Sequence, residues 1–428
     1  MDKIAVIGLG RLGLPLAVTL AHRGFKVMGI DINAEVVEAI DARRVPSHIY
    51  ESGLQEMLEE TERLIATTDM ESATFMPVSI VMVNTPSEPD GSFSLKYVLG
   101  VCRELGAALR GRDAYHLVVI GSTVNPGDCG GPIREALEEA SGRKVGKTLG
   151  LCYCPEFVAL GNIIRGFLEP DFVLIGASDI RAAHLLAGIY KRFCLNDPPI
   201  IRMSLVSAEI AKIALNVAVV TKMAMAAQIT WMCQRYPGAD ADAVLQAIGN
   251  DFRIGHPFFS KTLWPGGPCF PRDSVSFIAA ARKVDQPVPV AEGTHAYLQV
   301  QIAEMADWIK TLAGDGQIAI LGLTYKAGVT VTDDSYGPIL AERLTEMGHE
   351  VNVCDPHVVQ IEINGKTREP LSLEETVAIS DVLVVTVDHA EFKALEEMDL
   401  RGKIVVDCRG FLDEDKISGQ YVRQGRGA

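Results

Sequence analysis

The sequence predicts an α/β protein: two parallel-sheet domains joined by a central all-helical region. Three observations carry this. Short β-branched runs alternate with helical patterns through the N-terminal third. The alternation gives way to helices alone between residues 204 and 312. It restarts at Gln317. Continuous apolar strands separated by helices belong to sheets covered on both faces, which are parallel. The expected domains are residues 1–200, 201–312 and 313–428. A chain of 428 residues is long enough for them at about 150 residues per domain.

The elements follow in order. Residues 3–7 are the first strand, residues 14–22 carry apolar side chains at helical spacing, and residues 27–31 are the second strand. Residues 79–83, 117–121, 149–154 and 172–175 continue the strand series. Cys152 and Cys154 fit alternate positions on one of these strands. Residues 213–232 are the most apolar long run; Asn216, Lys222 and Gln228 inside it favour a buried helix over a membrane span. A Gly/Pro/aromatic segment, residues 251–273, interrupts the helices, and Gly314-Asp315-Gly316 ends them. Residues 317–322, 349–354, 382–387 and 403–408 supply the later strands, and the two α/β segments could be distant copies of one architecture. Residues 420–428 read as a frayed polar tail.

Composition excludes several classes. Forty Lys and Arg against 55 Asp and Glu leave a net charge of −15, which argues against nucleic-acid and anionic-membrane binding. Nine cysteines without a CxxC pair argue against a disulfide scaffold or a zinc site and favour a reducing cytoplasm. The N-terminus lacks a signal peptide's basic and apolar regions.

Four local patterns bear chemistry. Gly8-Leu9-Gly10-Arg11-Leu12-Gly13 leaves a strand and opens a helix, the context of a dinucleotide fingerprint. Gly8 permits the tight turn, Gly10 lets a pyrophosphate approach the backbone, and Gly13 lets helix and strand pack closely. Asp31 ends the next strand, where a carboxylate binds the adenosine ribose and repels a 2′-phosphate; NAD is therefore favoured over NADP. Gly121-Ser122-Thr123-Val124 ends another strand and could line a ligand crevice, although a plain turn reads the same. Glu209, Lys212 and Asn216 share one face of an apolar helix, where a buried Lys would need a partner or an oxyanion; a snorkelling Lys is the alternative. Cys269 lies in the rigid Gly266-Gly267-Pro268-Cys269-Phe270-Pro271-Arg272-Asp273 loop, where a nearby cation would favour the nucleophilic thiolate.

Together these patterns resemble the nucleotide-sugar dehydrogenase family of UDP-glucose and GDP-mannose 6-dehydrogenases, whose α/β domains are Rossmann-like. The resemblance runs over nearly the whole chain: GLGRLGLPLA, the NTP at 84–86, GSTVNPG, the CPEF at 154–157, AEIAKIALN, the RIG at 253–255, GGPCFPRD, the GLTYK at 322–326, the CDP at 354–356 and the DCRG at 407–410. It implies oxidation of a primary alcohol to a carboxylate by two hydride transfers to two NAD⁺. It implies Cys269 as the nucleophile of a thiohemiacetal and thioester, Lys212 and Asn216 as oxyanion stabilisers, and Thr123, Glu156 and Asp273 as groups that position water and move protons. The cofactor set it implies is Gly8, Gly10, Leu12, Gly13, Asp31, Thr85, Pro86, Thr123 and Arg272. The substrate set is Glu156, Phe157, Lys212, Asn216, Arg253, Gly266, Tyr325, Lys326 and Arg409. Arg253 would reach the substrate of a partner subunit, and the central helices would form a homodimer or larger homo-oligomer. No metal, nucleic acid or membrane is implied.

The chain departs from the family pattern at several points. Its cysteine loop reads Trp264-Pro265-Gly266-Gly267-Pro268-Cys269, with prolines where an aromatic and a serine are usual. Val158-Ala159-Leu160-Gly161 lacks a usual acidic residue, and Asp333 stands for a usual arginine. Asp333 is expected to be held off the cofactor, with Arg272 and the Gly10–Gly13 helix terminus carrying the phosphate charge. UDP-glucose is the leading substrate reading, with a UDP-N-acetylhexosamine or GDP-mannose as rivals of the same chemistry. A two-electron hydroxyacid dehydrogenase would need neither Cys269 nor residues 317–412. A catalytically weak NAD- or nucleotide-sugar-binding protein is the remaining alternative.

Overall fold

Strand β1 (Lys3–Ile7) is buried at every position after Lys3, because its side chains feed two cores. Ile4 and Val6 join one apolar cluster, Ala5 and Ile7 another. Successive strand residues point to opposite faces, so both faces of this sheet are covered. In this computed structural model residues 2–261, 263 and 265–427 are described; Trp264 of the cysteine loop lies outside them.

The chain divides into two compact units, Met1–Ile213 and Ala214–Ala428. In the first, among the described residues, β1 joins β2 (Lys26–Ile30), β3 (Leu64–Thr67), β4 (Val78–Val81), β5 (His116–Ile120), β6 (Leu149–Tyr153), β7 (Val173–Ala177) and β8 (Ile200–Met203). The sheet order is β3-β2-β1-β4-β5-β6-β7-β8. The order reverses between β1 and β4, which opens a crevice at the strands' carboxyl ends. The sheet is not wholly parallel: β6 and β7 pair antiparallel. The sequence reading missed β3 and β8. Both are four-residue edge strands with alternating or exposed positions, too short for a continuous apolar run.

The long helix Leu205–Arg235 starts in the first unit and continues in the second. By length and composition it could span a membrane, and 44% of its most apolar window is buried within the protein. Within residues 213–232 the expected buried helix holds for Ile213, Val217, Val220, Ala224, Ala226, Ala227 and Trp231, while Met225 and Met232 are exposed.

The second unit holds the helices Ala241–Gly249, Phe270–Arg282 and Pro289–Ala313, then a second sheet. Its strands are β9 (Ile318–Leu321), β10 (Val351–Cys354), β13 (Val382–Val385), β14 (Ile404–Asp407) and β15 (Gln420–Arg423), in the order β10-β9-β13-β14-β15 and all parallel; β11 (Ile361–Ile363) and β12 (Lys366–Arg368) form a separate hairpin. The two units share one packing device. Gly8 and Gly322 each end the first strand at positive φ, and side chains at Gly13 and Gly337 would collide with their respective carbonyls. A helix can approach its strand this closely only where both positions lack Cβ.

The expected frayed tail is a correction. Residues 420–423 form β15 against β14, Gln424 is buried, and the N–H of Gly427 donates to the Ala239 carbonyl at 3.0 Å. Tyr421 donates its hydroxyl to Asp407 Oδ2 at 2.9 Å. A polar, glycine-rich composition concealed a strand only four residues long.

Candidate active site

The glycine loop forms the cradle that the fingerprint requires. Gly8 has φ +92° and donates its N–H to the Ile30 carbonyl at 2.7 Å. A side chain at Gly8 would meet the Met82 carbonyl at 2.6 Å, whereas one at Gly10 would meet nothing within 4 Å. The open side of the loop is thus at Gly10, where a pyrophosphate must approach, and Leu12 caps the helix Gly13–His22. Asp31 also ties this loop down. Its Oδ2 accepts the Leu9 N–H at 2.7 Å and its Oδ1 the Asn33 N–H at 2.9 Å. The same carboxylate still offers lone pairs to ribose hydroxyls. Thr85 and Pro86 follow β4 and Thr123 follows β5, all at the carboxyl edge of the sheet. Ser122 Oγ donates to the Val83 carbonyl at 2.7 Å, which ties these two loops together. The residues fit a bound dinucleotide.

Glu156 follows β6 at the same sheet edge, beside a small cavity lined by Cys154, Phe157, Phe172 and Tyr190. Burial pushes its carboxyl up to about 7, against the opposing effects of the Tyr190 hydroxyl and the Lys212 ammonium. Tyr190 donates to Glu156 Oε1 at 2.9 Å. Such a group changes charge near neutral pH, as a proton-transfer residue must. Lys212 is 7% exposed, and its Nζ stands 4.9 Å from the Phe157 ring centroid. An ammonium over an aromatic face is attracted by the ring's negative quadrupole.

Glu209 does not belong with Lys212 as the shared helix face suggested. It is fully buried, and its two oxygens accept the Gly127 N–H at 2.6 Å and the Cys129 N–H at 2.7 Å. It holds a backbone turn. Tyr190 is the reverse case. It was missed because a tyrosine in the amphipathic helix Ile180–Phe193 carries no local signal of chemistry.

In the second unit Cys269 is exposed while the other eight cysteines are buried. Burial pushes those thiols up, Cys102 to about 12 and Cys354 to about 11, so they are inert at neutral pH. Cys269 caps the N-terminus of the helix Phe270–Arg282. One turn on, the Asp273 N–H donates to the Cys269 carbonyl at 2.9 Å. Asp273 Oδ2 accepts from Asn216 Nδ2 at 2.6 Å, and both side chains are buried.

The glycines before Cys269 are there for packing. Gly267 has φ +92°, its N–H donates to the Asp333 carbonyl at 3.0 Å, and a side chain on it would strike the Tyr325 ring. A side chain on Gly266 would meet the Asp334 carbonyl at 2.8 Å. Asp333 therefore supports the cysteine loop through its backbone, and the Arg272 charge acts on the neighbouring Asp334 carboxyl, which burial nonetheless holds above the usual range.

Tyr325 and Lys326 follow β9, and Arg409 follows β14, at the carboxyl edge of the second sheet. Lys326 Nζ lies 5.6 Å from the Tyr325 ring centroid, and Arg409 Nε lies 3.6 Å from Asp388 Oδ1. Asp407, which composition could not single out, orders this loop by accepting the N–H groups of Arg409, Gly410 and Leu412. Arg253 is exposed and forks onto Asp251 through Nε at 2.9 Å and Nη2 at 2.6 Å.

Comparison with known proteins identifies the domains that carry these residues. Residues 2–194 match the NAD binding domain of the UDP-glucose/GDP-mannose dehydrogenase family, residues 206–297 its central domain, and residues 319–414 its UDP binding domain. A UDP-glucose 6-dehydrogenase of Haloferax volcanii is 33% identical over 95% of this chain and 96% of its own. A GDP-mannose 6-dehydrogenase of Pseudomonas aeruginosa is 31% identical over 96% of this chain and 97% of its own. The solved structure of a UDP-glucose dehydrogenase from Pyrobaculum islandicum superposes with a TM-score of 0.87 at 29% identity, covering 100% of this chain and 98% of that one. With the NAD binding, central and UDP binding domains matched in order along the chain, it belongs to the UDP-glucose/GDP-mannose dehydrogenase family, the NAD-dependent nucleotide-sugar 6-dehydrogenases.

Proposed function

We propose that the protein oxidises the C6 primary alcohol of a UDP-sugar, UDP-glucose foremost, to the carboxylate through a thioester on Cys269. The observation that carries this reading is the one exposed thiol among nine, set at a helix N-terminus that favours the thiolate, with the buried Asn216–Asp273 pair one turn away. The UDP binding domain match and the Haloferax volcanii relative support uridine and glucose. The GDP-mannose relatives, at 31% identity, support a guanosine sugar as the second reading.

Bound NAD⁺ supplies the hydride acceptor for each oxidation. The Cys269 thiolate adds to the C6 aldehyde to give a thiohemiacetal, whose loss of hydride leaves the thioester. Water then adds, and the thiolate leaves. In total the alcohol, one water and two NAD⁺ give the carboxylate, two NADH and three protons. Covalent capture keeps the aldehyde from escaping between the two oxidations. Lys212 and Asn216 stabilise the oxyanions. Glu156, poised near neutrality, and Asp273 take the protons of water, with Thr123 holding it in place. Lys326, Tyr325 and Arg409 hold the nucleotide sugar, and Arg272 the cofactor.

A panel of nucleotide sugars with NAD⁺ tests the reading. UDP-glucose should give two NADH per sugar and a product heavier by the mass of one oxygen less two hydrogens. One NADH per sugar with an aldehyde or ketone as end product would overturn it. Turnover of GDP-mannose alone would leave the chemistry and replace the base.

The reading extends to a homo-oligomer built on the long helix, whose exposed Met225 and Met232 offer apolar side chains to a partner. Arg253, exposed on its own chain, would then complete a neighbour's site. Mixing Arg253→Ala chains with Cys269→Ala chains should restore up to about a quarter of the activity through hybrid sites. A fully active monomer by light scattering would contradict this. Nine free cysteines support a reducing, cytoplasmic setting.

A further inference from the structure

The carboxyl edge of the second sheet carries a cluster that the reaction does not use. His357 follows β10, His389 follows β13, and Glu391 lies two residues on, in the first turn of the short 3₁₀ helix Ala390–Glu396. One ligating atom from each lies within 4.8 Å of the others. The His357 and His389 ring centroids are 4.9 Å apart, and His357 Nε2 is 3.6 Å from Glu391 Oε1.

The hydrogen bonds around His389 decide what its ring offers. Its Nε2 lies 2.9 Å from Thr324 Oγ1 and 3.2 Å from Asp355 Oδ2. The Thr324 hydroxyl donates its proton to the Lys326 carbonyl at 2.9 Å, so towards His389 it can only accept. The Asp355 carboxylate is an acceptor as well: its Oδ2 takes the N–H groups of Leu323 at 2.6 Å and Thr324 at 3.1 Å, and its Oδ1 that of His357 at 2.8 Å. Both neighbours are acceptors, so Nε2 bears the proton. Nδ1 is then the ring nitrogen left open to a ligand. It is buried without a hydrogen-bond partner, in a side chain with no exposed surface. A buried polar atom left unsatisfied is destabilising, and such groups persist where a ligand satisfies them.

We propose that His389, His357 and Glu391 bind a divalent transition-metal ion of the zinc class, with the unpartnered Nδ1 as the nitrogen His389 offers. Two imidazoles and one carboxylate suit such an ion, with the fourth position left to water. Asp355 supplies the outer arrangement that metal-bound histidines use: Oδ2 accepts from His389 Nε2, while Oδ1 accepts the His357 backbone N–H at 2.8 Å. Ligands about 2.0–2.2 Å from a tetrahedral ion sit roughly 3.4 Å apart, so the half-exposed His357 and Glu391 would draw in by about 1 Å around the fixed His389. The ion would clamp the loops after β10 and β13 at the edge where α/β sheets bind ligands. This site is independent of the substrate reading.

Co²⁺ titration of the full, untagged chain tests it, with Cys269→Ala as parent to remove the exposed thiol. One Co²⁺ per chain should bind with the ligand-field spectrum of a nitrogen and oxygen site. Zn²⁺ should displace it and raise Tm. His357→Ala, at a half-buried position, and Glu391→Ala, at an exposed one, should each weaken binding at least about tenfold with the fold intact. No uptake by the parent at millimolar Co²⁺, or unchanged binding in both variants, would overturn the proposal.

Discussion

Replacing Cys269 by alanine should lower acid formation by about three orders of magnitude, roughly 4 kcal/mol of transition-state stabilisation, while NAD⁺ binding survives. The expectation rests on the thiol's singular exposure and its place at the start of the helix Phe270–Arg282. Without a covalent anchor the first oxidation yields an aldehyde that can hydrate and leave. Cys269→Ser is the sharper variant. A hydroxyl is far less ionised than a thiol at neutral pH and makes a more stable ester. Slow first-step NADH with an ester accumulating on the protein, seen as an added mass, would support the thioester route. Full acid formation by Cys269→Ala would remove Cys269 from the chemistry.

Lys212→Met should cost about 10²–10³ in kcat, the usual consequence of deleting a preorganised group at a developing oxyanion. The same change has a second readout. The Lys212 charge is one of the two influences that lower the Glu156 carboxyl, which burial raises to about 7. Removing it shifts Glu156 further up. If the ionised carboxylate assists hydrolysis, the wild-type rate rises with pH through about 7, and the variant's rise moves to higher pH. Tyr190→Phe, which deletes the hydroxyl bond to Glu156, should move the profile in the same direction with a smaller loss of rate. An unchanged profile in both variants would separate Glu156 from the proton transfer.

The glycine fingerprint was legible because its requirements are local. Gly8 needs positive φ and Gly13 a close helix–strand approach, and each follows from the residue type beside its neighbours in the chain. Period and composition likewise exposed the long strands, and failed at β15, where four residues in a polar segment complete the sheet. Glu209 and Lys212 looked equivalent on one helix face. Contacts distant in sequence made one a backbone clamp at Gly127 and Cys129, and left the other above the Phe157 ring.

The sequence by itself determined the α/β–helix–α/β order, the dinucleotide turn, Asp31 and the loop cysteine, since backbone geometry and hydrophobic period are written in adjacent residues. Only the tertiary structure decided which polar groups are desolvated and by whom they are met. Glu156 is raised to about 7 by burial, Tyr190 bonds it across the fold, and the Asp333 carbonyl accepts from Gly267 in the cysteine loop. His357 and His389, 32 residues apart in sequence, meet at one sheet edge because β10 and β13 flank β9. Desolvation and pairing depend on what packs nearby in space, and no spacing along the chain encodes that.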